Sequence, residues 1–116
     1  MRKNEQLNTY TRGDMLLIRN EKATGKEQNG TRPAVVVGNN IGNAKSPVLI
    51  ICYLTSEDKP NLPTHAAVKG INDTPSTVLC EQPFTVDKSR VLRYIKTCTK
   101  KEMARVNRAL SVSLAI

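Results

Sequence analysis

Apolar residues come along this chain in short blocks separated by polar, turn-forming stretches, a pattern that predicts strands far more than helices. The first block, GDMLLIRN (13–20), reads as a strand bounded by turn and charged residues. ATGKEQNGT (23–31) follows as a loop: its two glycines and its asparagine permit tight backbone geometry, and nothing in it could build a core. PAVVV (33–37) predicts a second strand, with Pro33 at its first position because proline cannot donate to a ladder. GNNIGNAKSP (38–47) reads as a turn-rich connection into VLIICYL (48–54), seven consecutive apolar residues. Length and β-branching make that run a strand, and its lack of alternation predicts burial on both faces. After a second polar loop, TSEDKPNLPT (55–64), come a short strand HAAVKG (65–70), a longer one STVLCEQPF (76–84), a single helical turn DKSR (87–90) opened by Asp87, and a strand VLRYI (91–95).

The period changes only at the end. Thr99 followed three residues later by Glu102 is a capping box, and Cys98 with Met103 has the spacing of a hydrophobic staple, so a helix starts here. On a helical wheel Met103, Val106 and Leu110 fall within about 60° of one another, with Lys101, Arg105 and Arg108 opposite. One stripe is therefore buried and a basic ridge faces solvent. The sum is an all-β, barrel-like core with a C-terminal helix laid on it. The chain is expected to form one domain over 1–116, with residues 1–11 a flexible N-terminal extension.

Composition sharpens this. At 116 residues and 12.8 kDa there is room for a single core, and with aromatics at 3 % and no Trp it must be built from Val, Leu, Ile and Met. Cys52, Cys80 and Cys98 are odd in number and far apart, which predicts buried free thiols rather than a disulfide framework. No apolar run reaches the roughly 18 residues needed to span a bilayer, and the polar start lacks the centre of a signal peptide, so a cytoplasmic protein with no membrane role is expected. The formal charge of +8 favours a polyanionic partner. It is uneven: residues 86–116 carry eight basic and two acidic side chains, a net +6, leaving +2 for the rest.

The side chains restrict the chemistry. One histidine, His65, far from every cysteine, does not make a metal site, and neither G-x-x-x-x-G-K-[ST] nor G-x-G-x-x-G is present, so no metal and no cofactor is expected. No serine sits in a nucleophile elbow. RNA cleavage asks for less, because the substrate's own 2′-hydroxyl can attack the adjacent phosphorus; the protein aligns it, moves two protons and stabilises charge. One placed arginine and a few hydroxyl or amide donors suffice for most of that. Arg32, set between a polar loop and a buried strand, is the candidate.

The fragments RGD (12–14), GKEQNGTRPAVVV (25–37), NNIGN (39–43) with S-P after it, LTS (54–56), LPTH (62–65) and VLCEQPFTVDKSRV (78–91) stand together in order. In that arrangement the chain resembles the MazF/PemK family of bacterial toxin endoribonucleases from about residue 12 to its end. The resemblance implies a mainly β (α+β) fold: a small twisted antiparallel SH3-like barrel with a C-terminal helix, of the CcdB/MazF/PemK type, acting as a homodimer. It implies sequence-specific, metal-independent cleavage of single-stranded RNA to a 2′,3′-cyclic phosphate and a 5′-hydroxyl. It also implies a cognate antitoxin whose acidic, disordered C-terminal segment covers the RNA groove.

The resemblance places the catalytic pair on Arg32 and Thr55. Arginine stays protonated, its pKa lying above about 12, which suits charge stabilisation and proton donation to the leaving oxygen better than base catalysis. Glu27 is the candidate base; its other reading is a loop residue that contacts RNA or orients Arg32. Gln28, Pro33, His65, Ser76 and Gln82 are the candidate RNA-binding residues. Two other function classes stay open on the sequence: a noncatalytic toxin or regulator on the same fold, such as a gyrase-binding protein, and a passive RNA-binding module. The latter is poorly served by three Tyr and one Phe.

Overall fold

The computed structural model describes residues 9–20 and 30–116. Six strands, β1 (Asp14–Arg19), β2 (Thr31–Val36), β3 (Val48–Thr55), β4 (His65–Lys69), β5 (Pro75–Asp87) and β6 (Val91–Thr97), form one antiparallel sheet in the order β4-β5-β3-β2-β1-β6. A short helix α1 (Asn40–Lys45) joins β2 to β3, and α2 (Lys100–Leu114) closes the chain. Single 3-10 turns stand at Ile71–Asp73 and Lys88–Arg90. The sheet curls until Lys96 of β6 reaches β4: its Nζ donates to the Lys69 carbonyl at 3.3 Å and to Asp73 Oδ1 at 2.7 Å. No helix among the described residues is long and apolar enough to cross a membrane.

The curl explains the missing alternation. Successive residues point to opposite faces, and here both faces are packed. Met15, Val35, Cys52 and Leu54 lie on the face covered by α2, with Val106, Ala109 and Leu110. Leu16, Ile18, Ala34, Val36, Ile51 and Tyr53 point into a second core on the opposite face. The central strands are thus apolar at nearly every position, as VLIICYL predicted, with Ile50 the half-exposed exception. All three cysteines are free and buried.

Three expectations need correction. Residues 38–47 are not merely turns: α1 forms there without apolar periodicity, held by side-chain caps. Asn39 Oδ1 accepts from the Gly42 amide at 2.8 Å, and buried Asn43 donates from Nδ2 to the Gly38 carbonyl at 3.0 Å. Pro33 is the third residue of β2 rather than the first. It pairs with Leu17, one step from positions whose amides point at β1, so its nitrogen faces the β3 side, where the ladder begins only at Ala34. β5 runs 13 residues because an irregularity lets it turn a corner: Leu54 pairs with Val78 but Cys52 with Pro83, so the residues between bulge out opposite Tyr53. Its first half then lies between β4 and the end of β3, and its second half pairs with the start of β3 alone.

The helix start is as the sequence predicts. The Thr99 hydroxyl accepts from the Glu102 amide, and Glu102 Oε1 accepts from the Thr99 amide at 2.8 Å. Glu102 also joins the buried stripe: its Oε2 accepts from the Lys69 amide at 2.7 Å and ties α2 to β4. Burial raises the pKa of this carboxyl, but the bonds from Thr99 and Lys69 outweigh it and hold the group below its ordinary value. Glu102→Ala is expected to cost about 2–4 kcal/mol of stability, since two charge-assisted bonds go and two amides lose their acceptor. A depressed folded pKa means that the contribution is complete above the unfolded value near about 4.3 and is lost as pH falls through the folded one. Urea melts of both proteins at neutral pH and at progressively lower pH read this out: the gap should narrow on acidification.

Candidate active site

Arg32 and Thr55 come together because two strands bring opposite ends to one place. The β2–β3 ladder pairs Ala34 with Tyr53, and carried two residues further that register sets Arg32, second in β2, opposite Thr55, last in β3. Both line a cleft of about 550 Å³, with Pro33 and Ser76 also on its wall. The Ile71–Asp73 turn and the loop after β3 form its rim, contributing Asn72, Glu57 and Lys59.

Each pairing fixes a side chain. The Arg32 guanidinium carbon lies 4.2 Å from the Tyr53 ring centroid, so the cation rests on an aromatic ring. The Thr55 hydroxyl oxygen accepts from the Glu57 amide at 3.1 Å. That bond uses a lone pair, leaving the O–H proton to donate. Ser76, by contrast, donates its hydroxyl to the Thr74 carbonyl at 2.9 Å, and offers the cleft an acceptor. A residue with a guanidinium fork and one with a hydroxyl donor, lining one hollow, are suited to the non-bridging oxygens of a phosphate.

The remaining expected site residues are placed differently. Glu27 and Gln28 lie outside the described residues. His65 does not line the cleft: its Nδ1 is 2.7 Å from the Pro60 carbonyl oxygen and its Nε2 is 3.2 Å from Glu81 Oε2, with the side chain 6 % exposed. It anchors the loop before β4 to β5. Against the opposing effect of burial, hydrogen bonds from the backbone and from His65 hold the Glu81 carboxyl below its ordinary range. Gln82 is exposed on the bulge of β5, also away from the cleft.

Glu57, Lys59, Asn72 and Thr74 join the wall without having been singled out in the sequence. They sit in turns whose approach to Thr55 only the folded chain reveals; the sole sequence signal was the acceptor–loop pattern T-S-E after the apolar strand. Among the described residues, no group of three or more His, Cys, Asp or Glu side chains is placed to hold a metal ion.

Comparison with known proteins gives a consistent result. Residues 11–114 match the family model described as "PemK-like, MazF-like toxin of type II toxin-antitoxin system". The chain is 35 % identical over 109 residues to the Endoribonuclease MazF of Staphylococcus saprophyticus, covering 90 % of this chain and 91 % of that protein. It is 36 % identical over 109 residues to the Endoribonuclease EndoA of Bacillus subtilis, covering 90 % and 94 %. Among solved structures, a mycobacterial endoribonuclease in complex with its cognate antitoxin superposes with a TM-score of 0.79 at 22 % identity, over 93 % of this chain and 97 % of that one. A MazE–MazF structure from Deinococcus radiodurans gives 0.78 at 22 % identity, over 93 % and 97 %. At that identity the likeness concerns the fold.

Proposed function

The chain belongs to the PemK-like, MazF-like toxins of type II toxin–antitoxin systems, and from that premise we propose that it is a sequence-specific endoribonuclease that cuts single-stranded RNA without a metal ion. The observation that carries this reading is that Arg32 and Thr55, from two different strands, line one cleft.

The substrate's 2′-hydroxyl oxygen attacks the adjacent phosphorus and the bond from phosphorus to O5′ breaks, leaving a 2′,3′-cyclic phosphate and a 5′-hydroxyl. Glu27 takes the 2′-hydroxyl proton. Arg32 stabilises the charge that gathers on the phosphorane oxygens and supplies the proton for O5′, while Thr55 donates to a non-bridging oxygen. Tyr53 beneath the guanidinium and the short reach from a buried strand hold that fork in place before substrate arrives. Gln28, Pro33, Ser76 and Gln82 contact the RNA around the cut, while His65, enclosed between Pro60 and Glu81, acts by anchoring the loop before β4; Gln82, exposed and able to donate and accept, suits a base edge.

The natural partners are single-stranded mRNA and a cognate antitoxin with an acidic, disordered C-terminal segment, for which the +8 charge is complementary. The protein works in the cytoplasm as a homodimer. Supporting the dimer, an apolar groove of about 470 Å³ between α2 and the sheet is lined by Ile50, Pro83, Leu110, Leu114 and Ile116, with Ile116 88 % exposed.

The test is incubation of the purified protein with varied single-stranded RNAs in EDTA. Discrete cuts bearing cyclic phosphate ends are expected; RNA left intact across many sequences would refute the reading. Thr55→Val, which keeps the shape and removes the hydroxyl, is expected to lower kcat about 10²-fold with little change in KM. Single-turnover kinetics on a mapped substrate measure it.

A further inference from the structure

Arg32 lines a second hollow as well as the cleft it shares with Thr55. This recess, of about 410 Å³, is bounded by Arg32, Tyr53, Phe84, Thr85, Val86 and Arg90, and the chemistry above uses only Arg32 and the Tyr53 ring beneath it. Tyr53 is buried at its base, with the Phe84 ring centroid 5.5 Å away and tilted by 56°. Phe84 is the sole phenylalanine of the chain, yet it is 44 % exposed. It comes here because β5, once past its bulge, pairs Phe84 with Ile51 and Thr85 with Ile50. Arg90 is fixed at the rim by a bond from its Nε to the Arg19 carbonyl at 2.8 Å.

We propose that this recess stacks the base of one of the two nucleotides flanking the scissile phosphate against Phe84. The inference rests on the reading of Arg32 as the phosphate-binding group. A phosphate held by Arg32 in the first cleft joins two nucleosides. Because Arg32 borders both hollows and its guanidinium lies over Tyr53 of the second, the nucleoside on one side of that phosphate is brought toward the second. What it meets there is a half-exposed aromatic ring in a recess that two arginines also line. Base–aromatic stacking accepts any base by its π-face, and arginine adds cation–π contact and charge for the backbone.

The experiment uses one mapped RNA substrate and replaces, in turn, the nucleotide on each side of the cut by an abasic ribonucleotide. For the wild-type protein, the abasic change at one of the two positions is expected to lower kcat/KM by about 10-fold or more. Phe84→Ala should show a similar loss on the intact RNA and no further loss from the abasic change at that position, and Phe84→Trp should restore the wild-type pattern. Because Phe84 is half-exposed, thermal melts should show each variant folded. The proposal is overturned if Phe84→Ala cuts intact RNA like wild type, or if both abasic penalties persist undiminished in it. Unaltered cleavage with weakened inhibition by the antitoxin would mark the recess as a protein-binding pocket and overturn the proposal in that way. Failure of wild type to cut any RNA would instead refute the function itself, a distinct result.

Discussion

Arg32→Ala is expected to lower kcat/KM for RNA cleavage about 10³-fold while leaving the fold intact. The magnitude follows from removing a preorganised cation aimed at a phosphorane, where single arginines and oxyanion donors contribute between about 10² and 10⁵. The fold is spared because Arg32 is exposed, and its one described aromatic contact, with Tyr53, is worth about 0.5–1 kcal/mol at such a site. Arg32→Lys should recover only part of the loss: an ammonium keeps the charge but not the planar fork that meets two phosphate oxygens at once. Initial rates at subsaturating RNA, beside denaturant melts of the same preparations, separate the catalytic loss from a folding defect. Equal loss of stability and activity would place Arg32 in the scaffold instead.

A single 2′-deoxyribose at the mapped cut should abolish cleavage there altogether, with neighbouring cut sites unaffected. The reason is chemical: in the proposed mechanism the attacking atom belongs to the substrate, and without it the reaction has no nucleophile. Binding should survive, since the phosphate that Arg32 and Thr55 hold is unchanged, so the deoxy-substituted strand is expected to be a competitive inhibitor with a Ki close to the KM of the all-ribose strand. Continued cutting at the substituted position would mean that water or a side chain attacks phosphorus. Separating fragments on a denaturing gel distinguishes the two results directly.

Much of this architecture was legible in single residues. Thr99 and Glu102 announced α2 because a capping box is a local device, and Asp87 announced its turn for the same reason: its Oδ1 accepts from the Ser89 amide at 2.9 Å. VLIICYL announced a central strand because only such a strand lacks a polar face. Features that depend on register were hidden. Tyr53 gave no sign that it would lie under Arg32, since that contact exists only once β2 and β3 pair. The bend of β5 leaves no local mark beyond Pro83, and α1 is held by asparagine caps where apolar periodicity gives no helix signal. Asn72 and Thr74 reach the cleft through a turn in which Asn72 and Asp73 take positive φ, a conformation that asparagine and aspartate tolerate better than most residues.

Of the expected site residues, Arg32, Pro33, Thr55 and Ser76 meet in one cleft, whereas His65 and Gln82 stand apart from it on and beside β5. A resemblance in motif carries residue identities but not distances. Arg32 and Thr55 are 23 positions apart in sequence and come to line one cleft because β2 and β3 pair.

The most direct measurement is a double-mutant cycle on one mapped RNA, comparing single-turnover rates of wild type, Arg32→Ala, Thr55→Val and the double variant. Two side chains acting on the same phosphate should be coupled, so the double variant should lose much less than the product of the two single losses. A loss equal to that product would show that they act independently, and the shared phosphate site would be contradicted.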